Sequence, residues 1–135
     1  MLVLLLACAG KQSDSDTLDG RAACIADNPG SDYGGADLAS LSEQCGADGG
    51  TNCADTWITE AAALCIAEIE GLPTGIADWR ANLLFHSTFL RVSWSVSSTE
   101  ESVTDSYGTS SSGTSFLIDG TNGELLQESQ WEAQP

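Results

Sequence analysis

Leu90, Val92, Trp94 and Val96 alternate with Arg91, Ser93, Ser95 and Ser97 over eight residues, and this pattern constrains the fold more than any other in the chain. Period two belongs to a strand that buries one face and leaves the other in water. The apolar face needs a cover, and a second periodicity upstream supplies it. Ala62, Cys65, Ile66 and Ile69 fall at i, i+3, i+4 and i+7, the spacing of one helix face. Thr59 is a suitable N-cap, Glu60 favours the positive end of the helix dipole, and Gly71 can end the run. A helix is therefore predicted from Glu60 to Glu70, with Glu60, Ala63 and Glu70 facing away from its cover.

Further strands flank the alternating segment. Leu83, Leu84 and Phe85 predict a preceding strand, joined through a turn at His86, Ser87 and Thr88. Phe116 to Asp119 and Glu124 to Gln127 flank Gly120-Thr121-Asn122-Gly123, which reads as a hairpin with a glycine-containing turn. In that turn Asp119 can accept hydrogen bonds from the following amides and Gly123 can take positive φ. Ser98 to Ser115 offers few apolar anchors besides Val103 and Tyr107, and is read as a mobile hairpin arm open to contact with a partner. The predicted class is α+β: one main helix packed on a four-stranded antiparallel meander, preceded by a disulfide-braced segment with a short helix.

That short helix starts at Asp37, which can cap the amides that follow, and Gly46 is its expected stop. Leu38, Leu41 and Cys45 then share one face. Around it Cys24, Cys45, Cys53 and Cys65 make an even set with three possible disulfide pairings. Cys24 with Cys65 and Cys45 with Cys53 is the pairing favoured here. The first bridge would close a loop of roughly 40 residues, contributing about 3 to 4 kcal/mol on the chain-entropy account. Metal binding is disfavoured because the cysteine spacings do not suit it and the one histidine, His86, lies outside the set. A thiol redox site is disfavoured because no Cys-x-x-Cys occurs.

The fifth cysteine has another context. Met1 to Ala7 is apolar, and Leu5-Leu6-Ala7-Cys8 resembles a bacterial lipoprotein cleavage box. The resemblance implies lipid attachment at Cys8, a membrane held through that lipid, and a folded part in the cell envelope facing the periplasm or exterior. No Lys or Arg precedes Cys8, which reads as a signal peptide whose basic start lies upstream. The expected organisation is residues 1–7 as a truncated lipoprotein signal peptide, 8–20 as a lipidated acidic tether, 21–55 as a cysteine-rich segment and 56–135 as the helix-and-sheet domain. The tether's aspartates lack the ligand spacing of a calcium loop.

Twenty acidic against four basic side chains give a formal charge of −16, which excludes nucleic acid as a partner. Catalytic machinery is not evident either. His86 has no nucleophile elbow beside it, Glu68 and Glu70 diverge on a helix, and Glu100 and Glu101 lie in the arm. The chain reads as a non-enzyme without a cofactor or a metal. Four tryptophans are many for its size: Trp57, Trp79, Trp94 and Trp131. Trp94 is core by its strand phase, whereas Trp79 and Trp131 are candidate contacts for a small ligand or glycan.

The stretch from Thr56 to Trp131 resembles the PepSY domain of bacterial secreted and membrane proteins. Ile58 to Ala67 is similar to that family's opening helix, Arg91 to Val96 to its central strand, and Leu117-Ile-Asp119-Gly-Thr-Asn-Gly123-Glu-Leu125 to its closing hairpin. The cysteine-rich segment has no counterpart in the family pattern. The resemblance implies a noncatalytic module that binds a protein, a secreted peptidase or another envelope protein, and restrains it. The alternatives are a surface module that binds a small ligand or glycan through exposed tryptophans, and a surface protein with no specific ligand.

Overall fold

The computed structural model describes residues 19–135, so Cys8, the signal segment and all but the end of the tether lie outside the described residues. A helix covers residues 19–27 (α1), followed by Leu38–Ala47 (α2) and Glu60–Ile69 (α3). Five strands complete the fold: Arg80–His86 (β1), Arg91–Ser97 (β2), Glu101–Asp105 (β3), Gly108–Asp119 (β4) and Leu125–Ala133 (β5). The class is α+β, with one antiparallel sheet.

Five strands stand where four were expected, because the Ser98 to Ser115 segment is itself strand. Its first part is β3, and its second is the first half of a twelve-residue β4. β5 pairs with β4 from Ser111 to Ile118 and fills one edge. β2 and β3 therefore lie end to end along the other edge, β2 against Ser115–Asp119 and β3 against Gly108–Ser112. With no apolar anchor, the arm relies on its backbone ladder and on hydroxyl pairs such as Thr104 with Thr109 at 3.0 Å.

The break between β2 and β3 at Ser98–Glu100 frees two carbonyls from the ladder. Both find partners: the Trp131 indole N–H donates to Ser98 O at 2.9 Å, and the Ile76 amide donates to Thr99 O at 2.7 Å. Gly113 makes this possible. A Cβ there would lie 1.8 Å from Ser98 O and 2.8 Å from Trp131 Nε1, so any other residue would collide with the kink and with the indole crossing it.

α3 covers one face of the sheet. Thr59 caps it, its hydroxyl accepting from the Ala62 amide at 3.2 Å. Ala62, Ala63, Ile66 and Ala67 are fully buried against Val92, Trp94, Val96, Phe116 and Ile118. Two details differ from the expected stripe: Ala63 is buried and Ile69 is 44% exposed. The small Ala62, Ala63 and Ala67 let the helix sit low on the sheet, while Ile69 turns toward α1 and approaches Gly20. Leu90 also departs from the pattern. It sits in the turn before β2 at φ 55° and is exposed, so the buried alternation starts at Val92.

α1 was not anticipated, and it includes residues 19 and 20 of the segment read as tether. Its Ala-rich run carries Cys24 and Ile25 toward α3. The Cys24–Cys65 disulfide and a two-nitrogen contact from Arg21 to Glu70 Oε2, at 2.7 and 3.1 Å, bind the two helices together. Asp37 caps α2 as expected, but the helix runs through Gly46 to Ala47 and ends before Gly49, which takes φ 74°. The Cys45–Cys53 bridge then folds the following loop back under α2. Both favoured pairings are thus the ones formed.

Candidate binding face

Cα partners in an antiparallel sheet share a face, so the registers sort the strand residues into two sets. One set is the core just described. The other begins with a row of Arg80, Ser97, Ser115 and Ser129 across four strands. The next row is Asn82, Ser95, Leu117 and Gln127. Leu84, Ser93 and Asp119 form the third, and His86 with Arg91 the last. Leu84 and Leu117 lie outside the core cluster although Leu117 is only 7% exposed, because the neighbouring side chains on this face shield it. α2 and α3 make their sheet contacts from the other side, so among the described residues neither helix covers this face, although Ser93 within it is fully buried.

One end of the face is aromatic and cationic. Trp131 lies over Gly113, pinned by its bond to Ser98 O, and the Arg80 guanidinium sits 5.2 Å from the centre of its ring. The other end is an ion cluster. Arg91 Nη1 donates to Asp119 Oδ2 at 3.1 Å and approaches Glu124 Oε2 at 3.4 Å. The second oxygen of Asp119 accepts from the amides of Thr121 and Asn122 at 2.7 and 3.0 Å, which closes the predicted turn. Gly123 takes φ 75°, and a Cβ on it would lie 2.5 Å from Ile66 Cδ1, so the turn can rest on α3 only with glycine there.

Asn52 ties the cysteine-rich segment to this end of the sheet. Its side chain accepts from the Val92 amide at 2.7 Å and donates to the Val92 carbonyl at 2.8 Å, imitating a neighbouring strand. Its own carbonyl accepts from the Trp57 indole at 3.0 Å. A polar cleft of about 450 Å³ opens here between Thr51, Cys53, Arg91 and Asn122. Its carboxylates are already engaged by Arg91 and by turn amides, and among the described residues no group of three or more His, Cys, Asp or Glu is placed to hold a metal ion.

The structure does not bring the two candidate ligand tryptophans together. Trp79 packs against the helix-side core and donates to Pro73 O at 2.8 Å, whereas Trp131 belongs to the open face. Trp57 and Trp94 are buried, and the Trp94 indole donates to Ile58 O at 2.9 Å. His86 ends β1, half-buried, its ring 5.3 Å from that of Phe89 and its buried Nδ1 without a hydrogen-bond partner among the described residues. The electrostatic perturbation that is resolved falls elsewhere: hydrogen bonds from the Ser40 amide and hydroxyl hold the Asp37 carboxyl below its ordinary 3.8.

No protein-family model, curated protein or solved structure matches this chain. Its geometry must therefore stand by itself. An open, hydroxyl-rich sheet face with a pinned indole and an arginine at one end can make contacts over a broad area. Sequence reasoning missed Gly113, Asn52 and Arg91 as determinants of that face. A lone glycine facing an aromatic residue across two strands was the available signal for Gly113, but reading it required the register.

Proposed function

We propose that this chain is an extracytoplasmic lipoprotein held to a membrane through Cys8, whose PepSY-like domain binds a protein partner and has no catalytic role. The observation that carries the reading is a sheet with one face closed by α3 and the other left open across four strands. The order of elements supports the PepSY likeness: a capped helix, antiparallel strands and a final Asp119 to Gly123 turn. Two disulfides brace a chain of 135 residues, a feature of oxidising compartments outside the cytosol. Among the described residues no helix is long and apolar enough to cross a membrane, so retention at one would fall to the lipid.

A secreted peptidase is the partner class that the PepSY resemblance implies, with other envelope proteins as the broader class. Intact mass of protein purified from its host tests the anchor: acyl mass on a chain starting at Cys8 is the expected result. Adding the purified domain to the host's secreted peptidases tests the restraint. Unchanged proteolysis at saturating domain, together with no recovered partner, would remove the peptidase and protein-binding readings.

A further inference from the structure

We propose that the helix-side surface of the arm formed by β3, β4 and β5 is the docking site for a short basic segment of a partner protein, an inference that rests on the protein-binding reading above and names a surface and a ligand chemistry for it. Register places the parts. Glu101, Val103 and Asp105 of β3 stand opposite Ser112, Ser110 and Gly108 of β4, while Glu132, Gln130 and Glu128 of β5 stand opposite Ser112, Thr114 and Phe116. Phe116 belongs to the core, so all of these share the side on which α3 lies. α3 does not reach the arm. β3 is exposed along its whole length and, of α2, α3 and the strands, packs on β4 alone.

The serines of β4 are small and their neighbours on either side are long, which leaves a groove along the middle strand. It holds about 170 Å³, with Ser110 and Ser112 as its floor, Glu101 and Val103 on one wall and Glu132 and Gln134 on the other. Carboxylates thus stand on both walls of a trough that has one apolar side. A Lys or Arg side chain suits that arrangement, its methylene stem against Val103 and its charged head between Glu101 and Glu132.

Charge selects the same occupant. None of Glu101, Asp105, Glu128 and Glu132 has an ion-pair partner among the described residues, and the arginines there lie elsewhere, Arg21 with Glu70 and Arg80 and Arg91 on the open face. Like charges repel within the Debye length of about 10 Å at ~0.1 M salt, and a cationic segment relieves that repulsion. Guarding an edge strand calls for charge, but not for a groove or for an exposed valine between the charges. Val103 is 51% exposed, and Tyr107 in the adjoining turn is 86% exposed, an aromatic anchor at the arm's end. Three strands about 4.8 Å apart and five residues long give a footprint of about 14 by 17 Å, well short of the roughly 800 Å² that a folded partner covers, so the occupant is a segment of chain.

The test uses the full disulfide-bonded chain in its own envelope, with a benzophenone cross-linker replacing Val103 on the groove wall, Asn82 on the open face or Ala61 on the exposed side of α3. The expected result is a discrete protein adduct from Val103, joined to a segment of the partner that contains Lys or Arg. With that partner purified, Glu101→Gln together with Glu132→Gln should weaken binding at least about tenfold. Glu43→Gln with Glu68→Gln removes the same charge from exposed positions elsewhere and should weaken it less than about twofold. Melting of both double variants at or above that of the parent chain separates the effect from misfolding.

Equal weakening by the two pairs, or none by either, overturns the groove. An adduct from Asn82 or Ala61 but not from Val103 overturns the surface and leaves protein binding standing. An adduct from Val103 to a segment without Lys or Arg, or to a second copy of this chain, overturns the partner's chemistry. No protein adduct from any of the three positions overturns both this inference and the reading on which it rests.

Discussion

The two faces of the sheet are built from the same strands, yet they differ in almost every property that a strand can display. On β2, Val92, Trp94 and Val96 are fully buried beneath α3, while the residues between them are serines, Ser93 fully buried and Ser95 half-buried. This chain has acidic side chains in excess, yet Asp119 is the one carboxylate that the strand registers of β1, β2, β4 and β5 put on this side. The contrast shows that the hydrophobic face determines the fold, while the composition of the other face is free to serve something else.

The sharpest way to break the comparison is to remove the central side chain of the closed face. Trp94→Ala should cost about 5 kcal/mol, since it leaves a large cavity and also strips the Ile58 carbonyl of its indole donor. Urea unfolding measures it, and a loss under about 2 kcal/mol would mean that α3 does not depend on this contact. Releasing the cover comes next. Replacing Cys24 and Cys65 together should cost about 4 kcal/mol, and Cys45 with Cys53 about 2.5 kcal/mol, as expected for loops of 41 and 8 residues. Equal losses would argue that strain rather than loop length sets their contributions.

On the open side, Gly113→Ala should cost about 2 to 3 kcal/mol by forcing Ser98 O and the Trp131 indole apart. A change in Trp131 fluorescence should accompany it. Ser95→Ala should change stability by no more than about 0.5 kcal/mol, because its face is not packed. The smallest effect belongs to neither face. Asp37 has a lowered carboxyl value, so its cap contributes fully above about pH 4 and is lost as pH falls through the folded value. Asp37→Ala should remove that segment of the acid-unfolding curve and leave the rest unchanged.

Much of the closed face was legible in the chain. The period-two run gave the phase of Trp94, Thr59 and Asp37 marked two helix starts, and Asp119 with Gly123 marked the final turn. The open face was barely legible. Ser93, Ser95 and Ser97 read as generic wet positions, since polar residues on a strand say only that water is tolerated there. The arm reads from sequence as a mobile hairpin and not as part of the sheet because its strands bury little, and hydrophobic periodicity cannot report a ladder held by backbone bonds and hydroxyl pairs.

By itself the sequence determined the class of fold, the strand phase and the turn chemistry, because those depend on neighbours within a few residues. It also set the charge and the cysteine inventory. Tertiary structure decided which cysteines meet, why Gly113 must lack a side chain, and how Arg80, Leu84, Leu117 and Trp131 from three different strands come to share one surface. The physical reason is register: hydrogen bonds between strands far apart in the chain fix which side chains stand side by side, and no local pattern contains that information.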